Sequence, residues 1–255
     1  MASNIDWRNI PAAIWRGRSG TLRPVSRPDP VRLEDLLGID TQKAKILQNT
    51  ERFLRGEPCN HVLLWGSRGT GKSSIVKALL NEFAPRGLRV IEVDKDDLQD
   101  LPDIVDDIRE RSQRFIVYCD DLSFEDREHQ YKHLKSVLEG SLELPPENVR
   151  LYATSNRRHL VPEYMKDNEQ SQVVGREIHH GDAVEEKISL SDRFGLALSF
   201  YPISEPQYFE IVDHLFGPVK DRAQLHVRAR RFSMEKGVRS GRTARQFYNQ
   251  FVGEF

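Results

Sequence analysis

The sequence is poor in cysteine and has no long hydrophobic run. Its two cysteines, Cys59 and Cys119, form neither a CxxC pair nor a zinc-type spacing, which excludes a disulfide scaffold. The longest apolar runs, such as residues 115–119, are far shorter than the ~20 residues that a membrane-spanning helix needs. The first residues show no basic segment followed by an apolar one, so we expect no signal peptide. These absences predict a cytoplasmic protein.

An excess of charge of one sign is also missing. The 255 residues carry a formal net charge of −1, which gives no indication of a nucleic-acid partner. The charges are nevertheless segregated, because residues 92–110 have a net charge of −7 and residues 217–245 one of +7. A solvated helical face explains either run. The alternatives are head-to-tail contact between subunits, or phosphate binding by the basic run.

From residue 62 onwards, short apolar segments alternate with amphipathic ones, which is typical of strands and helices in turn. Five strands are predicted, over residues 62–65, 88–93, 115–119, 149–153 and 196–201. Helices are predicted over residues 41–55, 73–83, 102–111 and 125–142. The alternation indicates parallel strands joined by crossover helices, and hence a three-layer α/β fold with a five-stranded parallel sheet.

The two ends of the chain differ from this α/β core, which we place at residues 33–202. Residues 1–32 hold four prolines together with Trp7 and Trp15, and we expect an irregular, extended arm there. The two tryptophans either anchor the arm on a neighbouring subunit or cover the chain's own surface. Residues 203–255 are expected to form a small all-α lid domain. Its helices are predicted over residues 206–216, 224–236 and 243–255.

A glycine-rich motif lies between the first predicted strand of the core and the next helix. Residues 66–73 read Gly-Ser-Arg-Gly-Thr-Gly-Lys-Ser and fit GxxxxGK[ST], the phosphate-binding loop, at every required position. Glycines let the backbone turn so that its N–H groups surround phosphates, and the helix N-terminus that follows favours an anion. Lys72 is expected to reach the terminal phosphates and the Ser73 hydroxyl to bind Mg²⁺. The expected nucleotide-binding residues of this motif are Gly66, Ser67, Arg68, Gly69, Thr70, Gly71, Lys72, Ser73 and Ser74.

A pair of carboxylates, Asp120 and Asp121, follows the apolar segment 115–119. A phosphate loop needs an acid at the end of a neighbouring strand to hold Mg²⁺, and we expect Asp120 to do this. Asp121 is expected to polarise the attacking water. Many such ATPases have glutamate at this second position, and because aspartate is one methylene shorter, Glu125 is the alternative for that role. The strand between the loop and the acids, and the lack of an Asn-Lys-x-Asp motif, favour ATP over GTP.

The order of these motifs resembles that of AAA+ ATPases. Residues 151–156 resemble the strand that carries the first sensor of that superfamily, which implies that Asn156 orients the hydrolytic water. Residues 189–195 resemble the arginine-finger segment of branch-migration motors and replication initiators. That resemblance implies that Arg193 reaches the γ-phosphate held by a neighbouring subunit.

Two further segments extend the resemblance to AAA+ ATPases. Residues 240–242 resemble the second sensor, which implies that Arg242 contacts phosphate within the same subunit, with Arg245 as the alternative. Residues 35–39 resemble the segment that lies against adenine, with Ile39 as the contact. The segments LLWGSRGTGKSS, RFIVYCDDLSFE and VEEKISLSDRFGLALSF resemble a bacterial AAA+ family known as domain of unknown function 815. This resemblance covers about residues 20–250 and implies an activity but no pathway.

The sequence therefore predicts an ATPase that uses ATP and Mg²⁺ to drive a conformational change in an unknown macromolecular partner. Its expected catalytic residues are Lys72, Asp121, Asn156 and Arg193. Because an arginine finger acts between subunits, we expect a homo-oligomer that is either a ring or an open helix, with a hexamer as the expected form. Two alternatives stay open: an ATP-gated binding switch with little turnover, which the short Asp121 supports, and a DNA-associated loader or remodeller, which the basic run suggests.

Overall fold

A computed structural model describes residues 5–122, 144–156 and 191–255. It also describes the helical residues Leu134 and Leu138, and the backbone of two two-residue strands, β7 and β8. Among these residues no helix is long and apolar enough to cross a membrane.

The fold is built on one seven-stranded sheet with the order β2-β1-β4-β5-β6-β3-β9. Only the pair β1–β2 is antiparallel, and every other neighbouring pair is parallel. The short strands β7 and β8 form a separate antiparallel pair. The strands are β1 Ala12–Arg16, β2 Thr21–Pro24, β3 Val62–Gly66, β4 Leu88–Glu92, β5 Arg114–Cys119, β6 Val149–Ser155, β7 Val173–Val174, β8 Glu177–Ile178 and β9 Leu196–Phe200.

The expected five-stranded parallel sheet is wrong in its strand count, because the N-terminal segment adds two strands. The five predicted strands are β3, β4, β5, β6 and β9, each within two residues of its expected ends. Residues 12–24 form a hairpin instead of an irregular arm, and β1 pairs in parallel with β4, with Ala12 opposite Val90. The buried side chains of Ala12, Ala13 and Leu22 account for this pairing, because they add apolar surface at the sheet edge.

A buried arginine holds the segment before β1 against the sheet. The Arg89 guanidinium donates hydrogen bonds to the carbonyl oxygens of Trp7, at 2.6 Å, of Arg8, at 3.0 Å, and of Ala84, at 2.9 Å. The Trp7 ring is buried and packs edge-on against Phe115, with ring centroids 5.0 Å apart. Trp7 therefore covers the chain's own sheet.

The second tryptophan joins the hairpin to the acidic run at residues 92–110. Trp15 Nε1 donates to Asp100 Oδ2 at 2.8 Å, and the backbone N–H of Gly17 donates to Asp97 Oδ2 at 3.2 Å. Asp94 caps the 3₁₀ turn Lys95–Asp100 through the backbone N–H of Asp96. Part of the acidic run is thus used within the subunit, to hold the hairpin and to cap a turn.

Helices cover both faces of the sheet. On one face, α1 (Asp40–Arg55) and α2 (Lys72–Phe83) pack their buried side chains against the even-numbered positions of β5, such as Ile116. On the other face, α3 (Leu101–Ile108) packs with the odd-numbered positions, such as Val117. Alternate residues of a strand point to opposite faces, so these are two separate apolar clusters. The predicted three-layer α/β architecture is confirmed.

Three further helices follow the sheet: α4 (Glu205–Phe216), α5 (Arg222–Glu235) and α6 (Gly241–Phe251). They bury an apolar cluster of their own that includes Tyr208, Leu225 and Phe247. A hydrogen bond from the backbone N–H of Gly241 to the carbonyl oxygen of Gly69, 3.1 Å long, joins α6 to the glycine-rich loop.

Among the described residues, salt bridges neutralise part of the basic run at residues 217–245, and three of the acids involved lie outside it. Five of its nine basic residues pair with carboxylates. These pairs are Arg222 with Asp213, Arg228 with Glu254, Arg230 and Arg239 with Glu205, and Arg231 with Glu235. The pairing favours the interpretation of this run as a solvated helical face over that of a phosphate-binding surface.

A partly buried histidine, His61, directly precedes β3. His61 Nδ1 accepts a hydrogen bond from the backbone N–H of Leu151, 2.9 Å away, and so continues the pairing of β3 with β6. Burial, with a smaller contribution from the charge of Arg150, lowers the pKa of His61 to about 4. His61 is therefore neutral in the folded protein at pH 5, where an unfolded chain binds a proton at this residue.

We predict that His61 makes the protein less stable in mild acid. The contribution of neutral His61 to the free energy of unfolding is complete above pH 6.5. It is lost as the pH falls towards 4, because only the unfolded state binds the proton in that range. The loss between pH 7 and pH 5 should be roughly 2 kcal/mol of unfolding free energy, measured by urea denaturation. The His61→Asn variant keeps an acceptor near the position of Nδ1, but asparagine does not titrate. The free energy of unfolding of this variant should therefore fall by less over the same pH range. Equal falls in both proteins would contradict this assignment.

Candidate functional site

The glycine-rich loop follows β3 and leads directly into α2. Its backbone takes positive φ at Gly66 (128°), Gly69 (75°) and Gly71 (98°), which side chains disfavour. A Cβ at Gly66 would lie 2.0 Å from the carbonyl oxygen of Phe200 on the neighbouring strand β9. Glycine is thus required there by close contact as well as by conformation. The loop places the unpaired N–H groups of the first turn of α2 at the carboxyl edge of the sheet.

Lys72, the first residue of α2, is buried beneath the loop. Its Nζ donates to the carbonyl oxygens of Gly66, at 2.8 Å, and Ser67, at 2.7 Å, and to Asn156 Oδ1 at 3.3 Å. Burial lowers the pKa of Lys72, and the nearby charges of Asp120 and Asp121 partly offset that effect. The ammonium group is therefore held at the centre of the site by acceptors on three sides.

Asp120 lies just beyond the end of β5, opposite the start of α2. Three hydroxyl groups donate to its Oδ1: Ser73 Oγ at 2.8 Å, Tyr118 Oη at 2.7 Å and Thr154 Oγ1 at 2.5 Å. Partial burial alone would raise the pKa of Asp120, but the hydrogen bonds from Thr154, Tyr118 and Ser73 outweigh it and keep the pKa below its ordinary value. Asp120 is therefore an ionised carboxylate in direct contact with Ser73.

Asp121 has an unusual backbone conformation. Its φ of 52° makes it the one residue other than glycine with positive φ in the described part of the chain. The backbone N–H of Asp121 donates to Thr154 Oγ1 at 2.8 Å, and Asn156 Nδ2 donates to Asp121 Oδ1. Asp121 and Asn156 were expected to act on the same water, and the structure brings them into contact.

Two residues expected to bind nucleotide lie against the loop. Ile39 precedes α1 and is buried, and its Cδ1 would lie 3.5 Å from a Cβ at Gly71. Arg242 is in the first turn of α6, and its Cβ would lie 3.4 Å from a Cβ at Gly69. The charge of Arg242 contributes to lowering the pKa of Lys72. Arg245 lies one turn further along, and its guanidinium is 5.8 Å from the centre of the Tyr248 ring. The geometry favours Arg242 over Arg245 as the residue near the loop.

The remaining predicted residues do not all lie at the loop. Arg193 lies before β9 and is partly exposed. Phe194 and Gly195 separate it from that strand, and a Cβ at Gly195 would lie 2.4 Å from Asn60 Oδ1. Glu125, the alternative water-activating acid, lies outside the described residues. Thr70 supports the loop, since its hydroxyl donates to the carbonyl oxygen of Ser67 at 2.7 Å.

The oxygen atoms at this site fit a magnesium ion. Mg²⁺ prefers oxygen ligands and is usually bound by one or two protein groups, with waters and substrate phosphates completing the shell. The Ser73 hydroxyl and the ionised Asp120 carboxylate supply such a pair, and they already lie within hydrogen-bond distance. The described residues hold no cluster of three or more metal-ligating side chains that would form an all-protein metal cage.

Comparison with a family model decides the family. The model described as "Protein of unknown function (DUF815)" matches residues 8–255, nearly the whole chain. The chain belongs to the DUF815 family. This agrees with the resemblance seen in the sequence motifs, and the match includes the N-terminal hairpin as well as the core.

Curated relatives of the DUF815 chain match only a segment of it. The large subunit of replication factor C from Staphylothermus marinus is 34% identical over 76 residues, which cover 29% of this chain and 17% of the relative. The 26S proteasome regulatory subunit 6B homologue of Schizosaccharomyces pombe is 38% identical over 79 residues, covering 28% of this chain and 20% of the relative. The chain thus matches about a fifth of the length of these relatives.

Solved structures show the fold more completely. The RuvB Holliday junction branch migration motor of Thermotoga maritima superposes with a TM-score of 0.50 at 16% identity, over 87% of this chain and 72% of that one. A single-residue variant of the same protein gives a TM-score of 0.53 at 15% identity, over 87% and 73%. At this level of identity the similarity concerns the fold alone. The DUF815 chain therefore has a RuvB-like AAA+ fold.

Sequence reasoning missed two residues of the site, Tyr118 and Thr154. Both donate to Asp120, and Thr154 also accepts from the backbone of Asp121. Tyr118 belongs to an apolar strand, where an aromatic ring is expected as part of the core. The sequence pattern therefore gives no sign that its hydroxyl has a role. An alternation of polar residues at the end of β6, Thr154 and Asn156, is the one signal that pointed to Thr154, because alternate residues share a face.

Proposed function

We propose that this protein is a Mg²⁺-dependent ATPase that works as a homo-oligomer. One observation carries the proposal: the phosphate loop, Lys72, the pair Ser73–Asp120 and the pair Asn156–Asp121 all meet at one edge of the sheet. Three separate segments of the chain supply these groups. Positioned donors and an acid pair around a phosphate loop are the parts that phosphoryl transfer to water requires.

In this proposal the loop and the first turn of α2 bind the phosphates. The backbone N–H groups and the helix dipole favour negative charge, and Lys72 adds a full positive charge. Lys72 would exchange its carbonyl partners, Gly66 and Ser67, for phosphate oxygens. Ile39 would contact the adenine ring and Arg242 the phosphates, since both lie against the loop. Residues 203–255 would then act as a lid, because α6 already contacts Gly69.

Hydrolysis would be an in-line attack by water on the γ-phosphate. Ser73 and Asp120 would hold Mg²⁺, which neutralises charge on the phosphates. Asp121 would polarise the water and Asn156 would orient it, since the two side chains touch. Arg193 would complete the site of a neighbouring subunit, as the resemblance of its segment to an arginine finger implies. The conformational change of the nucleotide cycle would act on a macromolecular partner that the residues do not identify.

One observation favours the alternative of a switch with little turnover. Asp121 is shorter than glutamate, and its Oδ1 already accepts a hydrogen bond from Asn156. A shorter carboxylate whose Oδ1 already accepts from Asn156 is less free to reach and position a water than an unengaged glutamate. Single-turnover hydrolysis separates the two functions, because a switch would bind ATP tightly and release almost no phosphate even when oligomeric.

We predict that Asp121→Asn binds ATP as tightly as the wild type and hydrolyses it at least ~100-fold more slowly, since a general base contributes roughly 10²–10⁴ in rate. Nucleotide affinity is measured by calorimetry and phosphate release at saturating ATP. Asp103→Asn, an exposed acid in α3, is the matched control and should keep the parental rate. If Asp121→Asn hydrolyses at the parental rate while Glu125→Gln stalls, Glu125 activates the water and our assignment is wrong.

We predict that ATP hydrolysis per subunit rises with protein concentration and depends on Arg193. An arginine finger is worth ~10³–10⁵ in rate, so Arg193→Ala should bind ATP but lose nearly all turnover. Mixing it with a Lys72→Ala protein should restore part of the activity, because a Lys72→Ala subunit can supply Arg193 to the intact nucleotide site of an Arg193→Ala neighbour. Arg18→Ala, an exposed arginine at the hairpin, is the control. A constant specific activity at monomer mass, unchanged by Arg193→Ala, would contradict the proposal.

A further inference from the structure

The carboxylate of Asp120 is held by more than the metal-binding serine. Of its three hydroxyl partners, Ser73 belongs to the phosphate loop and is itself a proposed ligand of Mg²⁺. The other two, Tyr118 and Thr154, come from strands β5 and β6, and the sequence motifs assign neither of them a role. Their hydroxyl groups converge on Oδ1, which leaves Oδ2 for a metal ion.

Thr154 connects the two acids to each other. Its Oγ1 donates to Asp120 Oδ1 and accepts from the backbone N–H of Asp121, while its carbonyl oxygen accepts from the N–H of Leu122 at 2.7 Å. The side chain is buried, with 2% of its surface exposed, so it has little freedom to turn away. One hydroxyl therefore fixes the carboxylate of Asp120 and the strained backbone of Asp121 together.

Tyr118 reaches Asp120 from within the core. Its ring is 4% exposed and belongs to the apolar cluster that α2 shares with β4 and β5. Asp120 follows Tyr118 by two residues, just beyond the end of β5, and the Tyr118 hydroxyl donates directly to its carboxylate. Because packing fixes the ring, the Tyr118 hydroxyl is an anchored donor and not a flexible one.

We propose that Tyr118 and Thr154 are positioning residues that fix Asp120 for the metal ion, an inference that rests on the proposed function. Metal-ligating carboxylates are commonly held by such hydrogen bonds, and removing the partner typically costs 10–100-fold in metal affinity or activity. Thr154 has a second role, because it also sets the position of Asp121. The two residues therefore act on metal binding, and Thr154 alone acts on the water-polarising acid as well.

The test measures Mn²⁺ binding by electron paramagnetic resonance to protein saturated with a non-hydrolysable ATP analogue. Tyr118→Phe keeps the ring and removes the hydroxyl, so its Mn²⁺ affinity should fall by roughly 10–100-fold. Thr154→Val should lower it similarly, while Thr154→Ser, which keeps a hydroxyl, should restore it. Affinity for the analogue in the presence of EDTA should stay at the wild-type value in all three variants, because the phosphate loop is untouched.

Tyr152→Phe is the matched control. Tyr152 is a fully buried tyrosine on β6 whose hydroxyl contacts Asn49 and Thr50, away from the acids. It tests whether the loss of any buried tyrosine hydroxyl weakens metal binding through instability, and it should leave the Mn²⁺ affinity unchanged. Thermal unfolding of every variant shows that each is folded at the assay temperature.

The outcomes separate this inference from the proposed function. If the wild type binds the analogue and Mn²⁺ but Tyr118→Phe and Thr154→Val bind Mn²⁺ equally well, the positioning role is wrong while the nucleotide site stands. If the wild type itself shows no analogue-dependent Mn²⁺ binding, the proposed function fails. If Thr154→Val unfolds, Tyr118→Phe and Thr154→Ser still decide, because the first must weaken Mn²⁺ binding and the second must not.

Discussion

The candidate site exists because parallel strands end at a common edge. β3 leads there into the phosphate loop, β5 into Asp120 and Asp121, and β6 into Asn156. The strand order places β6 between β3 and β5, so residues far apart in the sequence meet at one point. The hydrogen bond from Ser73 to Asp120 is the direct link between the loop and the acid strand. Ligand sites in open α/β sheets commonly lie at this carboxyl edge.

The local parts of this arrangement could be predicted from the sequence. The phosphate loop is recognisable because glycine alone tolerates its backbone and because Lys72 and Ser73 must follow it. Asp120 is recognisable because it follows an apolar strand. The five central strands are found within two residues of their predicted ends, because each is a short apolar run between turn signals. These features depend on neighbours in sequence.

The parts that were missed depend on register between strands. Thr154 meets Asp120 only because β6 pairs with β5 with Tyr152 opposite Tyr118, and no local pattern specifies that register. The N-terminal hairpin was missed for a related reason. Its strands are four or five residues long, and their two alanines and single proline carry little strand propensity. They are stabilised by distant partners, namely the parallel pairing with β4 and the hydrogen bond from Trp15 to Asp100, while Arg89 holds the segment before β1.

The most direct test of this account is calorimetric titration of the folded protein with ATP and Mg²⁺. Lys77→Ala is the control, because Lys77 is an exposed lysine further along α2 that pairs with Asp29. This variant should bind the nucleotide as tightly as the wild type. Lys72→Ala should lose most of the affinity, because it removes the charge held beneath the loop. Failure of the folded wild type to bind adenine nucleotide at millimolar concentration would contradict the account.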